Sequence, residues 1–195
     1  MKDYLGDSAT VRTGLVVARK KARLDSLGSV LYKQIGLRCF PSGIILDKMQ
    51  TDDFLSAEII SDKYLTQEGD VVVRLRSPST AVYIEKEDEG LLITSLLAVI
   101  RVNDTRLDPR YLAYYINSYA SQRLLQREIK GTAIPMLKTK DLERLQLAIP
   151  SIEEQKRVVK FLDLAQKERE LLLTLANEKQ QLSQAVLDTI IQRVI

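Results

Sequence analysis

The chain has 195 residues, of which 45% are hydrophobic and 28% charged, and its formal net charge is +3. This length fits one globular domain with an appendage, and the composition excludes a disordered chain because it supplies enough apolar residues for a core. No signal peptide opens the chain and no apolar run approaches the roughly 20 residues that span a bilayer, so we expect a cytoplasmic protein without membrane contact.

The residue inventory excludes several kinds of catalytic and metal site. There is no histidine and a single cysteine, Cys39, which rules out Ser-His-Asp and Cys-His mechanisms, histidine metal sites and thiolate clusters. We expect Cys39 to be a reduced, apolar thiol. Glycine-rich phosphate loops and the Asn/Asp-Pro-Pro-Tyr/Phe tetrapeptide of adenine methyltransferases do not occur. A nuclease using carboxylates alone stays open, but no carboxylate pair stands out, and we predict no catalytic residues, metal or cofactor.

The charge is distributed unevenly along the chain. Residues 1–40 hold eight Lys/Arg against three Asp/Glu, residues 41–120 hold eight against thirteen, and residues 121–150 hold six against three. Basic segments on both sides of an acidic middle predict a nucleic-acid face built from two separate stretches. Ordinary solvated charge is the alternative.

The N-terminal basic stretch lies between two predicted strands. Residues 11–18 read as the first strand and Val30–Ile35 as the second, which carries Lys33. Between them lies the densest group of cations: Arg19, Lys20, Lys21 and Arg23. Such a group suits sequence-independent binding of phosphates. A third strand is predicted near Leu55–Ile60, after an acidic stretch.

Further short strands predict a β-rich domain. Val71–Arg76 is apolar and then alternates, which places Arg74 and Arg76 on one face. Ala81–Ile84 and Leu91–Thr94 predict a hairpin whose carboxylate-rich loop points away from DNA. Leu96–Val102 reads as another buried strand.

A helix and a basic turn follow. Asp108 is a predicted N-cap with proline at the first helical position, and the helix jogs near Ser118–Ser121. Tyr115 and Tyr119 share a face with apolar residues, so we favour core packing over base stacking. The turn that follows holds the candidate DNA-binding residues Lys130, Gly131, Thr132, Lys138 and Lys140. Glycine permits close backbone approach, threonine offers a hydroxyl and lysine offers charge; a C-cap with a solvated turn is the alternative.

The last stretch predicts one long helix. Pro150 ends an apolar segment, and Ser151 and Glu154 have capping-box spacing. No Pro or Gly interrupts the chain from there to about Arg193, which predicts roughly 43 helical residues and about 64 Å of length. Apolar residues recur at spacings of four and three: Phe161, Ala165, Leu172, Leu175, Leu182 and Val186. Glu168 and Lys179 interrupt this coiled-coil seam, which we interpret as an assembly device.

The junction before this helix resembles that of specificity subunits of type I restriction–modification systems. The matching residues are Gly131, Leu137, Leu142, Pro150, Glu154 and Gln155, with Ser151 in place of the family's second proline. Gly69-Asp70-Val71-Val72 and Asp108-Pro109-Arg110-Tyr111-Leu112 match the family's G-D strand and P-x-Y-L helix. A full subunit carries two recognition domains and two long helices, so this chain resembles a half-length subunit.

The resemblance implies an α+β protein, with a β-rich DNA target-recognition domain at residues 1–150 and a coiled-coil dimerisation helix at residues 151–195. It implies a non-catalytic homodimer that reads double-stranded DNA at two inverted half-sites and recruits methyltransferase (modification) subunits. A coiled-coil adaptor or regulator without sequence-specific DNA binding is the runner-up. A stand-alone enzyme is disfavoured by the missing motifs.

Overall fold

A computed structural model describes residues 3–22, 28–41, 43–128 and 136–194 of the chain. The chain divides into two units, Met1–Lys156 and Arg157–Ile195. The strands are β1 (Asp3–Tyr4), β2 (Ala9–Thr13), β3 (Val30–Ile35), β4 (Asp52–Ser56), β5 (Val71–Arg74), β6 (Ala81–Tyr83), β7 (Leu92–Ile93), β8 (Leu97–Val102) and β9 (Gln146–Leu147). The α-helices are α1 (Leu5–Ser8), α2 (Pro109–Asn117), α3 (Tyr119–Glu128), α4 (Thr139–Glu143) and α5 (Ile152–Val194). Short 3-10 helices occupy Val17–Arg19, Leu37–Cys39, Lys48–Gln50, Asp62–Tyr64 and Lys86–Asp88. The α+β class is as predicted.

An antiparallel sheet in the order β2-β8-β5-β6 lies at the centre of the first unit. Side chains of a strand alternate between its two faces. Val71 and Val73 therefore belong to one buried cluster and Val72 to another. All three valines have no exposed surface. Both faces of this sheet are covered, and this explains the run of valines in β5.

Helices cover the Val71 and Val73 face. Asp108 accepts hydrogen bonds from the backbone N–H groups of Arg110 and Tyr111, which confirms the predicted N-cap of α2. Leu112 and Ile116 of α2 and Leu142 of α4 are buried in this cluster.

A second sheet, in the order β4-β3-β7, packs against the face of the central sheet that carries Val72. Strand β3 pairs antiparallel with β4 and parallel with β7. Ile35 and Ile93 of this sheet pack in one cluster with Val72 and Val99 of the central sheet. Buried Cys39 and Phe40 complete that cluster.

Two predicted strand boundaries were wrong. The strand predicted over residues 11–18 covers Ala9–Thr13, because the chain at Gly14 crosses the backbone between β7 and β8. A Cβ at Gly14 would lie 2.3 Å from the Thr94 carbonyl oxygen, so only glycine fits there. The strand predicted near Leu55–Ile60 covers Asp52–Ser56, since the acidic residues pair with β3.

The predicted hairpin of Ala81–Ile84 with Leu91–Thr94 was also wrong. Strand β6 pairs with β5, so the hairpin turn lies around Ser77 and Pro78, and β7 pairs in parallel with β3. The Asn117 side chain covers the other edge of β6, accepting from the Ala81 N–H at 2.7 Å and donating to its carbonyl at 2.8 Å. Local alternation identified the strands but could not select their partners.

The tyrosines of the predicted helix divide between the core and solvent. The jog is confirmed, because Ser118 is extended between α2 and α3. Tyr111 and Tyr115 pack against the core cluster, with ring centroids 6.0 Å apart. Tyr119 is exposed, so its assignment to the core was wrong. The break at Ser118 places Tyr119 at the start of a new helix, where the spacing of four residues no longer defines a shared face.

Helix α5 begins and ends where the sequence predicts. Its first turn carries the predicted capping box: Ser151 Oγ accepts from the Glu154 N–H at 3.3 Å, and the Glu154 carboxylate accepts from the Ser151 N–H at 3.1 Å. The helix spans 43 residues without interruption. Among the described residues, no helix is long and apolar enough to cross a membrane.

Candidate nucleic-acid interface

Two predicted arginines lie where β5 ends. Leu75 belongs to the same buried cluster as Val71 and Val73, so Arg74 and Arg76 flank it on the opposite side. Both arginines are half-buried, and the Arg74 guanidinium lies 6.0 Å from the centre of the Phe40 ring. Neither Nε atom has a hydrogen-bond partner among the residues that the structure describes. Two guanidinium Nε donors are therefore unpaired within the described part of the chain.

The structure brings these arginines beside the segment that follows the predicted basic turn. Arg76 and Met136 form an isolated antiparallel bridge, and the Leu137 N–H donates to the Leu75 carbonyl at 2.8 Å. Lys138 directly precedes α4, and its N–H donates to the Asp141 carboxylate at 2.9 Å. The side chains of Lys138 and Lys140 are exposed. Candidate residues about 60 positions apart thus meet at one end of the central sheet.

Four predicted residues cannot be placed. Arg23, Lys130, Gly131 and Thr132 lie outside the described residues.

The remaining predicted cations lie along the second sheet and are partly neutralised. The backbone of Lys20 and Lys21 runs beside β4, where the Ala57 N–H donates to the Lys20 carbonyl at 2.8 Å. The Lys20 ammonium forms an ion pair with Glu58, and Lys33 pairs across the strands with Asp53 at 2.7 Å. Arg19 and Lys21 are exposed.

Sequence reasoning missed two cations, Arg12 and Lys63. Arg12 lies on β2 and Lys63 on the 3-10 helix Asp62–Tyr64, and both line a groove together with Thr13, Tyr64 and Thr139. Neither cation belongs to a basic run, so charge density along the chain gives no signal for them. The exposed positions of β2 were the only available clue.

The G-D pair of the family motif has a structural role. Gly69 has a φ of +86°, in the left-handed region that favours glycine. The buried Asp70 carboxylate accepts from Arg101 Nε at 2.9 Å and from Arg101 Nη2 at 3.2 Å. Burial raises the pKa of Asp70, and the hydrogen bonds from Arg101 act in the opposite direction. The ion pair of Asp70 with Arg101 connects β8 with the turn before β5.

Gln155, in the first turn of α5, has a similar structural role. Its buried side chain accepts from the Asp108 N–H at 2.8 Å and donates to the carbonyls of Arg106 at 2.7 Å and Pro150 at 2.9 Å. The Glu-Gln pair of the family motif therefore combines a helix cap at Glu154 with a buried amide that joins the start of α5 to the start of α2.

The seam residues of α5 are exposed. Phe161, Leu172, Leu175, Leu182 and Val186 expose between 48% and 69% of their surface, and Ala165 is exposed as well. A shallow, largely apolar hollow of about 340 Å³ lies along this unit between Leu164 and Leu175. The seam offers a large apolar surface to another chain.

The described residues hold no cluster of three or more His, Cys, Asp or Glu suited to a metal ion. Burial raises the pKa of the Cys39 thiol, which accordingly is a poor nucleophile.

Comparison with known proteins connects this fold to one family. The family described as "Type I restriction modification DNA specificity domain" matches residues 54–183. The chain is 28% identical over 105 residues to the type I restriction enzyme MjaVIII specificity subunit of Methanocaldococcus jannaschii, an alignment covering 54% of this chain and 24% of the relative.

Solved structures share the fold. The HsdS subunit of Thermoanaerobacter tengcongensis matches with a TM-score of 0.64 and 18% identity, over 93% of this chain and 45% of that chain. The type I restriction–modification S subunit of M. genitalium matches with a TM-score of 0.57 and 15% identity, over 90% and 41%. A chain from a structural study of type I R-M complex assembly and conformational transition matches with a TM-score of 0.60 and 19% identity, over 88% and 39%.

The chain thus spans less than half the length of each of these relatives. The family match covers most of its residues, including β5 to β9 and much of α5. This chain belongs to the family of type I restriction modification DNA specificity domains.

Proposed function

We propose that the chain is a non-catalytic, cytoplasmic specificity subunit that reads double-stranded DNA. In this proposal residues 1–150 form the target-recognition domain. Residues 151–195 pair two copies through α5, and the homodimer recruits modification subunits that methylate the DNA. The MjaVIII relative carries the name of a specificity subunit, which supports this assignment.

One observation carries the DNA-binding part of the proposal. The end of β5 and the segment that follows residues 129–135 meet at the bridge between Arg76 and Met136. Arg74 and Arg76, at the hairpin end of the sheet, therefore lie beside the segment that leads into Lys138 and Lys140, and two guanidinium Nε donors have no partner among the described residues. Arginine and lysine are the side chains that most often contact guanine edges and phosphates.

Two-fold pairing through α5 has a consequence for the DNA target. Two identical domains related by a two-fold axis should prefer two inverted half-sites separated by a spacer that the protein does not read. Insertion of seven residues near Lys179 preserves the seam and lengthens the helix by about 10 Å. The spacer should then change while each half-site stays the same.

Selection of duplexes from a random DNA pool tests this function directly. We expect the wild-type chain to enrich an inverted, bipartite sequence. Arg76→Gln and Lys138→Gln should each change the enriched half-site, with a loss of about 1–3 kcal/mol per base contact. Lys86→Gln, on the acidic loop, is the matched control and should enrich the wild-type sequence. Absence of any enriched sequence would favour an adaptor that does not read DNA.

Activity assays test the non-catalytic assignment. The purified chain alone should neither transfer a methyl group from labelled S-adenosylmethionine nor cut DNA, and methylation should appear when modification subunits are added. Methyl transfer by the pure chain would contradict the proposal.

A further inference from the structure

A groove lies beside the edge strand β2, which β8 separates from β5. Its volume is about 490 Å³, within the roughly 300–1,000 Å³ of ligand sites. Three segments that are distant in sequence contribute its lining, which comprises Val11, Arg12, Thr13, Lys63, Tyr64 and Thr139. The groove thus combines two cations, two aliphatic hydroxyls and a phenol.

The charge of this groove is uncompensated. No carboxylate occurs among the described residues that line it, and neither Arg12 nor Lys63 forms an ion pair within the described part of the chain. The Lys63 ammonium lies 5.0 Å from the centre of the Tyr64 ring, a cation–π contact that leaves its charge in place. By contrast, Lys20 and Lys33 each contact a carboxylate.

Each wall of the groove is held by a separate set of contacts. Arg12 lies opposite Val99 in the β2–β8 pair. The segment with Lys63 and Tyr64 is fixed by Arg101, whose Nη2 donates to the Leu65 carbonyl at 2.9 Å. Thr139 begins α4, which is anchored by the fully buried Leu142. The backbone that carries the groove residues is therefore held in place before a ligand arrives.

The combination of cations and hydroxyls suits the oxygens of a phosphodiester. We propose that Arg12 and Lys63, with the hydroxyls of Thr13 and Thr139, form a binding site for the phosphate backbone of DNA, distinct from the base-reading end of the domain. This inference rests on the proposed function, since it assumes that DNA is the ligand. Thr139 connects the two surfaces, because it follows Lys138 directly.

The test compares two duplexes of equal length, the one selected from the random pool and a scrambled one. Binding of each is measured by fluorescence anisotropy across a salt series, for wild type and for the double variant Arg12→Gln, Lys63→Gln. The control is Lys86→Gln, Arg123→Gln, which removes the same charge from other exposed positions. Thermal unfolding of both variants establishes that they remain folded.

We expect the groove variant to bind both duplexes roughly tenfold more weakly, with an unchanged ratio between them. Its slope of log K against log salt should be shallower by about 0.9 for each lost phosphate contact. A slope and affinity equal to those of the control would overturn the groove assignment. A wild-type chain that binds both duplexes equally would instead contradict the proposed function, whatever the slope.

A competition arm separates DNA from smaller phosphates. Inorganic phosphate, added at the phosphate concentration of the scrambled duplex, should leave the bound fraction of labelled duplex unchanged, whereas unlabelled scrambled duplex should displace it. Equal displacement by inorganic phosphate would identify a free-phosphate site and reject the DNA backbone as the ligand.

Discussion

Leucines have opposite environments in the two units of this protein. Leu5, Leu112 and Leu142 in the first unit are fully buried, whereas Leu172, Leu175 and Leu182 in the second expose about half of their surface or more. Both sets lie on helices. In the first unit sheets and helices of the same chain cover the apolar faces, and in the second the apolar face of α5 is open to solvent.

The difference teaches that apolar periodicity predicts a buried face without saying which molecule covers it. A single helix gains most of its stability from packing of its apolar face. The seam of α5 has no such cover among the described residues, and a second copy is the partner that we propose. The predictions below disturb each unit in turn.

The largest effect is expected at the α5 seam. Replacing Leu172 and Leu182 together with Glu should place four carboxylates in the dimer interface, and each buried carboxylate costs several kcal/mol. We expect the dimer dissociation constant to rise by at least about 10,000-fold, or above 5 kcal/mol. Light scattering at tens of micromolar should then give the mass of one chain.

The matched control adds two carboxylates to each chain, at positions outside the seam. Asn177→Glu with Gln180→Glu should leave the protein dimeric. If the wild-type chain already scatters light as a monomer, the exposed apolar face of α5 is no longer evidence that two copies pair.

In the first unit the largest loss should come from Asp70→Ala. This substitution leaves the Arg101 guanidinium half-buried without its carboxylate, and breaking such a pair costs about 3–5 kcal/mol of unfolding free energy. Urea unfolding measures the loss, and Glu87→Ala, an exposed carboxylate, should cost less than about 0.5 kcal/mol. Asp70→Leu with Arg101→Met should recover part of the stability; no recovery would mean that the charge pair is not the cause.

Gln155→Met should cost somewhat less. It keeps the side-chain length but leaves one N–H and two carbonyls near the start of α2 and α5 without their partner, at about 2–3 kcal/mol in total. Urea unfolding of Glu153→Ala, at an exposed position two residues before Gln155, supplies the comparison. Equal stability of the two variants would show that water replaces the amide without cost.

The smallest effect concerns the pair of half-buried Asp104 and exposed Arg106. Hydrogen bonds from Arg106 lower the pKa of Asp104 to about 2. Because the folded pKa lies below the unfolded value, the stabilisation is present above about pH 4 and is lost as the pH falls through about 2. A carboxyl NMR titration should find a midpoint about 2 in wild type and one near 4 in Arg106→Leu. Identical midpoints would mean that the contact is not maintained in solution.

Helix boundaries were the most predictable part of the fold. Asp108 before Pro109, and Ser151 three residues before Glu154, define the starts of α2 and α5 through hydrogen bonds within four residues. The strands Val30–Ile35 and Leu97–Val102 were predicted to within one residue. In Leu97–Val102, burial of both faces leaves an apolar run in the sequence. These signals are local, so the sequence alone suffices to recognise them.

Strand partners and charge partners were decided only by the tertiary structure. β7 pairs with β3 across 58 residues, and Gly14 is required by a backbone that lies 80 residues further along the chain. The predicted cations Lys20 and Lys33 meet carboxylates, whereas Arg12 and Lys63, absent from any basic run, converge on one groove. Linear sequence determined which segments become helices and strands, since capping and periodicity act over a few residues. Which charges remain free for a ligand depends on contacts between distant segments, and those exist only once the chain has folded.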